Sequence, residues 1–329
     1  MTTDSRIVHR GSFGGVSRLA QIWQHGDRFY KLLITLAALS VLGLVVAIGY
    51  ELWQSSALSR QAFGWNFITT SEWDPALNQV FGALPYILGT LITSAIALIV
   101  AVPLGIGIAI FLSELAPGWL RQPLGFLVEL LAAVPSVIYG LWGLFVFIPA
   151  LVKPLAQGLN AALGFLPLFA GPIFGPSRFA AGLLLAIMVL PTIAAVSRDV
   201  FLAIPASQRE ASLALGATRW EMIWQVLVPY GLSGLLGAVI LGLGRALGET
   251  VAVTMVIGNN LDLSPSLLHP GYTMASIIAN EFTEATYDLY VHALIEIGLI
   301  LFVMTLFINM IARLLIWRVG RRTIAEARP

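Results

Sequence analysis

The 329-residue chain has no cysteine and only four histidines, and charged residues make up just 11% of it. Without cysteine there is no disulfide framework, no thiolate metal site and no cysteine nucleophile. His9, His25, His269 and His292 are scattered and form no metal-ligand spacing. Charged residues are about a quarter of a soluble domain, so an ordinary water-soluble enzyme fold is excluded. Disorder is excluded as well, because disordered chains are polar and highly charged. A G-x-x-x-x-G-K-[ST] phosphate loop is also missing, so the chain carries no P-loop ATPase site, and Gly242, Gly244 and Gly248 follow no strand and make no dinucleotide fingerprint.

What is present is apolar: 58% hydrophobic residues and a mean hydropathy of +0.88. About 20 such residues cross a hydrocarbon core of ~30 Å. Six runs qualify, at about 32–50, 82–112, 123–147, 179–197, 231–258 and 289–312. The expected architecture is therefore all-α, a polytopic membrane domain at 32–316, with an N-terminal cytoplasmic segment at 1–31 and a basic cytoplasmic tail at 317–329. The first run is too long for a secretory signal core and reads as an uncleaved anchor. Pro85, Pro103, Pro135 and Pro191 predict kinks or helix ends. Residues 154–177 are uncharged but hold four prolines and four glycines, so they are expected as an outer loop or re-entrant piece rather than a seventh span.

The basic residues test the count. With six spans and both termini inside, fourteen Lys and Arg lie on the cytoplasmic side, while Arg60, Lys153 and Arg178 lie outside and Arg245 lies within a span. That bias is the one the positive-inside rule requires. A seventh span would reverse it for the 198–229 loop and the tail.

The loop at 198–229 is expected to hold a helical stretch over 208–215, a turn at Gly216, and an amphipathic helix over 220–227 ahead of Pro229. A pair of surface helices would explain amphipathicity alone. The order of residues is more particular: Glu210-Ala211-Ser212, three residues, Gly216, nine residues, then Val226, Leu227, Val228 and Pro229. It resembles the E-A-A-x3-G-x9-I-x-L-P motif of ABC-importer permeases, with Ser212 for the second alanine and Val226 and Val228 for isoleucine and leucine. Such a helix–turn–helix protrusion can seat in a partner's groove.

The fifth run contains Arg245 and Glu249, four residues apart and so on one face if the helix is continuous. An arginine near the bilayer centre costs ~2.5–3.5 kcal/mol on insertion scales, so it must face protein or water. Two readings remain open. In one, Arg245 and Glu249 neutralise each other and Gly244 and Gly248 merely allow close helix packing. In the other, Arg245 meets an anion in an aqueous path, its paired donors suiting a tetrahedral oxyanion. Glu249 would then orient it and accept a proton-bearing oxygen, which favours phosphate over sulfate. Thr250 and Thr254 could add hydroxyls. Glu129 and Glu296 are the other acids expected within spans, and the acidic stretch 275–288 either meets an external solute receptor or caps the last span.

Longer stretches extend the resemblance: SEWDPA at 71–76, FLSELAPGWLRQPLG at 111–125, ELLAAVPSVIYGLWGLF at 129–145, AAVSRDVF at 194–201, LGLGRALGETVAVT at 241–254, IANEFTEA at 278–285 and ALIEIGLILFV at 293–303. Together they resemble the permease subunit of bacterial phosphate ABC importers, the PstC branch. The resemblance implies a type I ABC importer permease fold (MetI-like) in the bacterial inner membrane, transporting phosphate without an ATPase site of its own. It implies a homologous second permease (PstA-like), an ATPase dimer (PstB-like) that binds the ATP, and an external phosphate-binding protein (PstS-like). It places the substrate path at Arg245 and Glu249, with Thr250 expected beside them from its position, and the coupling to the ATPase at Glu210, Ala211, Ser212, Gly216 and Pro229. No cofactor, metal or nucleic acid is expected in this chain. A permease for sulfate, molybdate or phosphonate, or a non-transporting phosphate-signalling partner, would share most of these features.

Overall fold

A computed structural model of the chain describes residues 16–326. The expected N-terminal segment and basic tail lie partly outside the described residues, at 1–15 and 327–329. The chain divides into two units, Met1–Glu51 and Leu52–Pro329. The first holds most of helix α1 (Val16–Ser55), whose apolar side chains from Leu32 to Tyr50 are largely exposed.

The second unit begins with two short helices, α2 (Ala57–Phe63) and α3 (Asn66–Thr69), and a small antiparallel pair, β1 (Trp73–Asp74) and β2 (Val80–Phe81). Trp73 stands opposite Phe81, and Asp74 Oδ1 accepts from the amides of Ala76 and Leu77 to close the turn between the strands. Helix α4 (Leu84–Ile110) ends in a π-turn at Phe111–Leu115. Helix α5 (Gly118–Ala133) follows, then α6 (Ser136–Trp142), which runs through a π-helical Gly143–Val152 into α7 (Lys153–Leu163). Helix α8 (Arg178–Ala203) leads to α9 (Ala206–Ala214) and α10 (Arg219–Met222). A second π-turn, Ile223–Leu227, joins α10 to α11 (Val228–Gly248), and α12 (Val251–Ile257), α13 (Met274–Glu281) and α14 (Asp288–Glu326) complete the chain. The longest π segment, Gly143–Val152, contains Pro149, whose missing N–H leaves the regular ladder one bond short.

Among the described residues, six helices are long and apolar enough to cross a membrane: Tyr30–Ser55, Leu84–Leu115, Ser136–Leu163, Arg178–Ala203, Arg219–Gly248 and Asp288–Arg318. The count is the expected one, but three boundaries differ. The run at 123–147 is not one helix: Val134 and Pro135 are extended, because the residue before proline is pushed out of the helical region. Consequently α5 stands apart from the six spans, and the third span reaches Leu163 through residues expected as loop. The fifth run, 231–258, is also interrupted, at Glu249 and Thr250. Finally, the second helix of the 198–229 loop does not stop at Pro229, which occupies the first turn of α11.

Helix α8 is the centre of the unit, with 61% of its most apolar window buried. Small residues make that possible: Ala97 and Ala101 of α4 and Ala181 of α8 are fully buried, letting the backbones approach. Leu184, Leu185, Met188 and Val189 fill the space toward Val253 and Val256 of α12. A second core, at the end of the unit holding β1 and β2, is aromatic, with Phe67, Trp73, Phe81, Tyr86 and Tyr290 packed mostly edge to face. A third, at the other end, gathers Phe201, Ile204, Ile223 and Leu227 under the α9–α10 turn.

Candidate functional site

Two places carry the expected site residues. The first is the break between α11 and α12, at the end of the fifth span. Glu249 takes an extended backbone (ψ 126°), and Thr250 begins the next helix. The freed backbone groups are taken up by side chains: Glu249 Oε1 accepts from Ala252 N at 3.4 Å, and Thr250 Oγ1 donates to Gly248 O at 3.2 Å. Thr254 Oγ1 donates to Thr250 O at 2.9 Å, the ordinary bond of a helical threonine.

The break changes the geometry expected for Arg245 and Glu249. They do not share a continuous helix face, and no ion pair joins them among the described residues. Arg245 instead lies in the last turn of α11, where a cation complements the helix dipole. It is half-buried and has no hydrogen-bonding or ion-pair partner among the described residues. The face beside it is open, since a methyl group at Gly237, Gly244 or Gly248 would meet nothing within 4 Å. Close packing through Gly244 and Gly248 within this chain is therefore not what the structure contains.

Helix α6 supplies the neighbouring wall. At Gly140 a Cβ would overlap Met255 Sδ and stand 3.2 Å from Ala252 Cα, so the missing side chain lets α6 lie close against α12. That approach brings the Tyr139 hydroxyl, which donates to Leu131 O at 2.7 Å, within electrostatic reach of Arg245. Helices α6 and α12, each following a break in the chain, thus meet near a guanidinium that has no partner among the described residues.

The second place is the α9–α10 turn. Gly216 has φ +89°, the left-handed conformation that closes α9 and suits glycine. Thr218 and Glu221 then form a capping box that starts α10. Nothing on α9 is buried: Glu210 and Ala211 are exposed, and Leu215 is 90% exposed. Trp220 and Trp224, also exposed, stack edge to face 5.6 Å apart. Between the two helices lies a cavity of about 620 Å³ whose wall includes Ser212, Gly216 and Glu221.

What fastens this turn is a residue not singled out from the sequence. Arg209 Nη2 meets Glu114 Oε1 at 2.9 Å, and its Nε lies 3.2 Å from the same oxygen. Its Nη1 and Nη2 also donate to Ile204 O and Phe201 O, each at 2.6 Å, at the end of α8. One guanidinium therefore ties α9 to the ends of α4 and α8. The available signal was positional: Arg209 precedes Glu210, and Glu114 is the first charge after the uncharged stretch that follows Asp74.

The remaining acids separate. Glu129 lies on α5, outside the six spans, exposed and 4.0 Å from Arg198. Glu296 lies within the last span and is buried. In the stretch 275–288, Glu281 Oε2 accepts from Trp73 Nε1 at 2.7 Å and from the Tyr290 hydroxyl at 2.6 Å, whereas Glu284 and Asp288 are exposed. At this end Arg178, also unforeseen, donates to Ser264 O and Asp262 O and holds the 259–271 loop over the start of α8.

Among the described residues, six membrane-length helices, the fifth ending in a break beside an arginine that has no partner there, and an exposed helix–turn–helix protrusion define a polytopic permease of the type I ABC importer fold. Solved structures agree on the fold. A bacterial ABC transporter involved in import of the acidic polysaccharide alginate aligns over 91% of this chain and 99% of its own, with TM-score 0.54 and 20% identity. The MetNI methionine ABC transporter aligns over 72% and 94%, with TM-score 0.50 and 17% identity.

Residues 101–324 match the family of binding-protein-dependent transport system inner membrane components. Phosphate transport system permease proteins PstC are similar over nearly the whole chain. The Haemophilus influenzae protein is 49% identical over 88% of this chain and 93% of its own, and the Pasteurella multocida protein 47% over 92% of each. That of Xylella fastidiosa is 46% identical over 90% and 92%. The chain belongs to this family of transport-system membrane components, within its PstC branch.

Proposed function

We propose that this chain is the permease subunit of an ATP-driven phosphate importer, passing inorganic phosphate across a bacterial inner membrane. The observation that carries the path is Arg245: a half-buried guanidinium without a partner among the described residues, on an open face, at the break that ends the fifth span. Interrupted membrane helices are where transporters place ion sites, because backbone there can be left irregular only beside protein or water. The open face of α11 would be closed by a homologous second permease, so that the path runs between the two.

Arg245 supplies permanent charge and paired donors for a tetrahedral oxyanion. Glu249 is held by its Oε1 as a cap on α12, which leaves Oε2 able to accept a proton from phosphate. Sulfate carries no such proton near neutral pH. Thr250 has its hydroxyl proton committed to Gly248 O, so its part is to shape the break rather than to donate.

The α9–α10 turn would seat in an ATPase subunit, with Leu215, Trp220 and Trp224 as apolar anchors and Glu210 exposed beside them. ATP would bind to that partner and not to this chain. Closure of the ATPase pair would push the turn, and Arg209 would carry the push into α4 and α8 as a rigid-body tilt. An external binding protein would deliver phosphate to the opposite end, and both termini would lie in the cytoplasm.

Labelled-phosphate uptake by phosphate-starved cells expressing the whole transporter tests this reading. Uptake is expected to require this chain and to be insensitive to excess sulfate and molybdate. Competition by either anion would mark the path as one for a different oxyanion, and uptake surviving deletion of the chain would remove it from transport altogether.

A further inference from the structure

A cavity of about 520 Å³ opens beside α14 at the end of the unit opposite the α9–α10 turn, and the phosphate path makes no use of it. Its size falls within the ~300–1,000 Å³ that holds a drug-sized ligand. Trp53 and Trp65 flank it, and Leu299, Val303 and Phe307 continue it along one face of α14. That stripe extends ~16 Å from Glu296 at 1.5 Å per residue. Tryptophan favours the membrane–water boundary, and Val303 and Phe307 are exposed, so the cavity opens toward acyl chains.

Two charged groups interrupt the apolar wall. Glu296 is only 5% exposed, and its Oε2 has no hydrogen-bond partner. Ser59, fully buried beside it, can supply at most one proton, whereas a carboxylate accepts about four. Burying such a group is costly unless donors arrive from elsewhere. Arg60 stands at the same cavity with its guanidinium 3.6 Å over the Trp53 ring. Its Nε donates to Ser56 Oγ at 3.0 Å and its Nη2 to Trp53 O at 2.6 Å, leaving Nη1 uncommitted among the described residues.

An acceptor lacking donors, a guanidinium with a donor to spare and an apolar groove are the complement of a zwitterionic headgroup with its tail. We propose that this cavity holds one aminophospholipid, its phosphate on Arg60, its ammonium on Glu296 and one acyl chain along Leu299, Val303 and Phe307. The site is independent of the transported anion, and its test reads lipid rather than uptake.

The purified complete transporter would be stripped of lipid and offered equal amounts of phosphatidylethanolamine, phosphatidylcholine and phosphatidylglycerol with identical acyl chains. Retained lipid is then counted by native mass spectrometry. The ethanolamine lipid is expected to be retained about tenfold over the choline lipid, equivalent to ~1.4 kcal/mol, because choline has no N–H for the carboxylate. Glu296→Gln is expected to bring that ratio to within about twofold, while Arg60→Gln lowers retention of all three. Equal retention of the two lipids by the wild type, or a preference that survives Glu296→Gln, would overturn the proposal. So would a disulfide between Val303→Cys and a cysteine in the second permease, which would make this face a protein interface. Should Glu296→Gln fail to assemble, Val303→Trp fills the acyl groove from the lipid side, and unchanged retention in that variant would equally overturn it.

Discussion

Arg209 and Arg245 are guanidiniums in the same apolar chain, and their surroundings set them opposite tasks. Arg209 satisfies a carboxylate and two helix-end carbonyls, while Arg245 satisfies nothing among the described residues. The sequence marks Arg245 as costly and in need of polar surroundings, but four-residue spacing alone also suggested a pair with Glu249 that the broken backbone prevents. Glu281 shows the reverse case: an acid that could have met an external receptor is spent on Trp73 and Tyr290. Burial raises its carboxyl above the ordinary value of 4.5, and the bonds from Tyr290 and Trp73 pull it partly back. A raised folded value favours the protonated form, so this site stabilises the fold at acidic pH and loses that contribution as pH rises from 4.5 through the raised value. Glu281→Gln keeps an acceptor for Trp73 and is expected to flatten that part of the thermal-midpoint profile of the purified transporter. An unchanged slope would contradict the assignment.

At the scale of elements, hydropathy finds apolar runs and passes over their interruptions. The run at 123–147 stays apolar through Pro135, so its division into α5 and α6 depends on backbone sterics, for which Pro135 was the visible sign. The interruption at Glu249 has no proline to announce it and is stabilised by side chains of the same short stretch. The α9–α10 turn was more legible, because a glycine between amphipathic segments has a local meaning that burial does not alter. Its fastening was not, since Glu114 and Arg209 are joined only by tertiary structure. Leaving one partner of a mostly buried ion pair unpaired costs ~3–5 kcal/mol, and replacing both by apolar groups costs much less. Arg209→Met and Glu114→Leu are therefore each expected to lower transporter stability and uptake sharply, with the double variant recovering part of both. Strictly additive losses in that cycle, read by thermal unfolding and uptake, would show that the pair does not act as a unit.

For the whole molecule, composition and charge bias were enough to read six spans, while no single-chain signal says what covers the exposed faces of α1 and α11. The 259–271 loop, held by Arg178, lies at the end of the unit opposite the α9–α10 turn, so reporters at the two places must be reached from different sides of the membrane. The absence of cysteine makes the test clean. A membrane-impermeant maleimide is expected to label Ser264→Cys in intact spheroplasts and Leu215→Cys only in inverted vesicles; the opposite pattern would invert the topology. Contact between Arg245 and the transported anion is tested by one comparison: phosphate uptake by wild type, Arg245→Ala and Arg245→Lys at matched membrane levels, with assembly verified. A hydrogen bond to a charged group contributes ~1.5–3 kcal/mol, so uptake is expected to fall by at least about tenfold in both variants. Lysine is expected to fail too because it keeps the charge but not the paired donors. Near-normal uptake in Arg245→Ala would contradict the contact and leave Arg245 a structural residue.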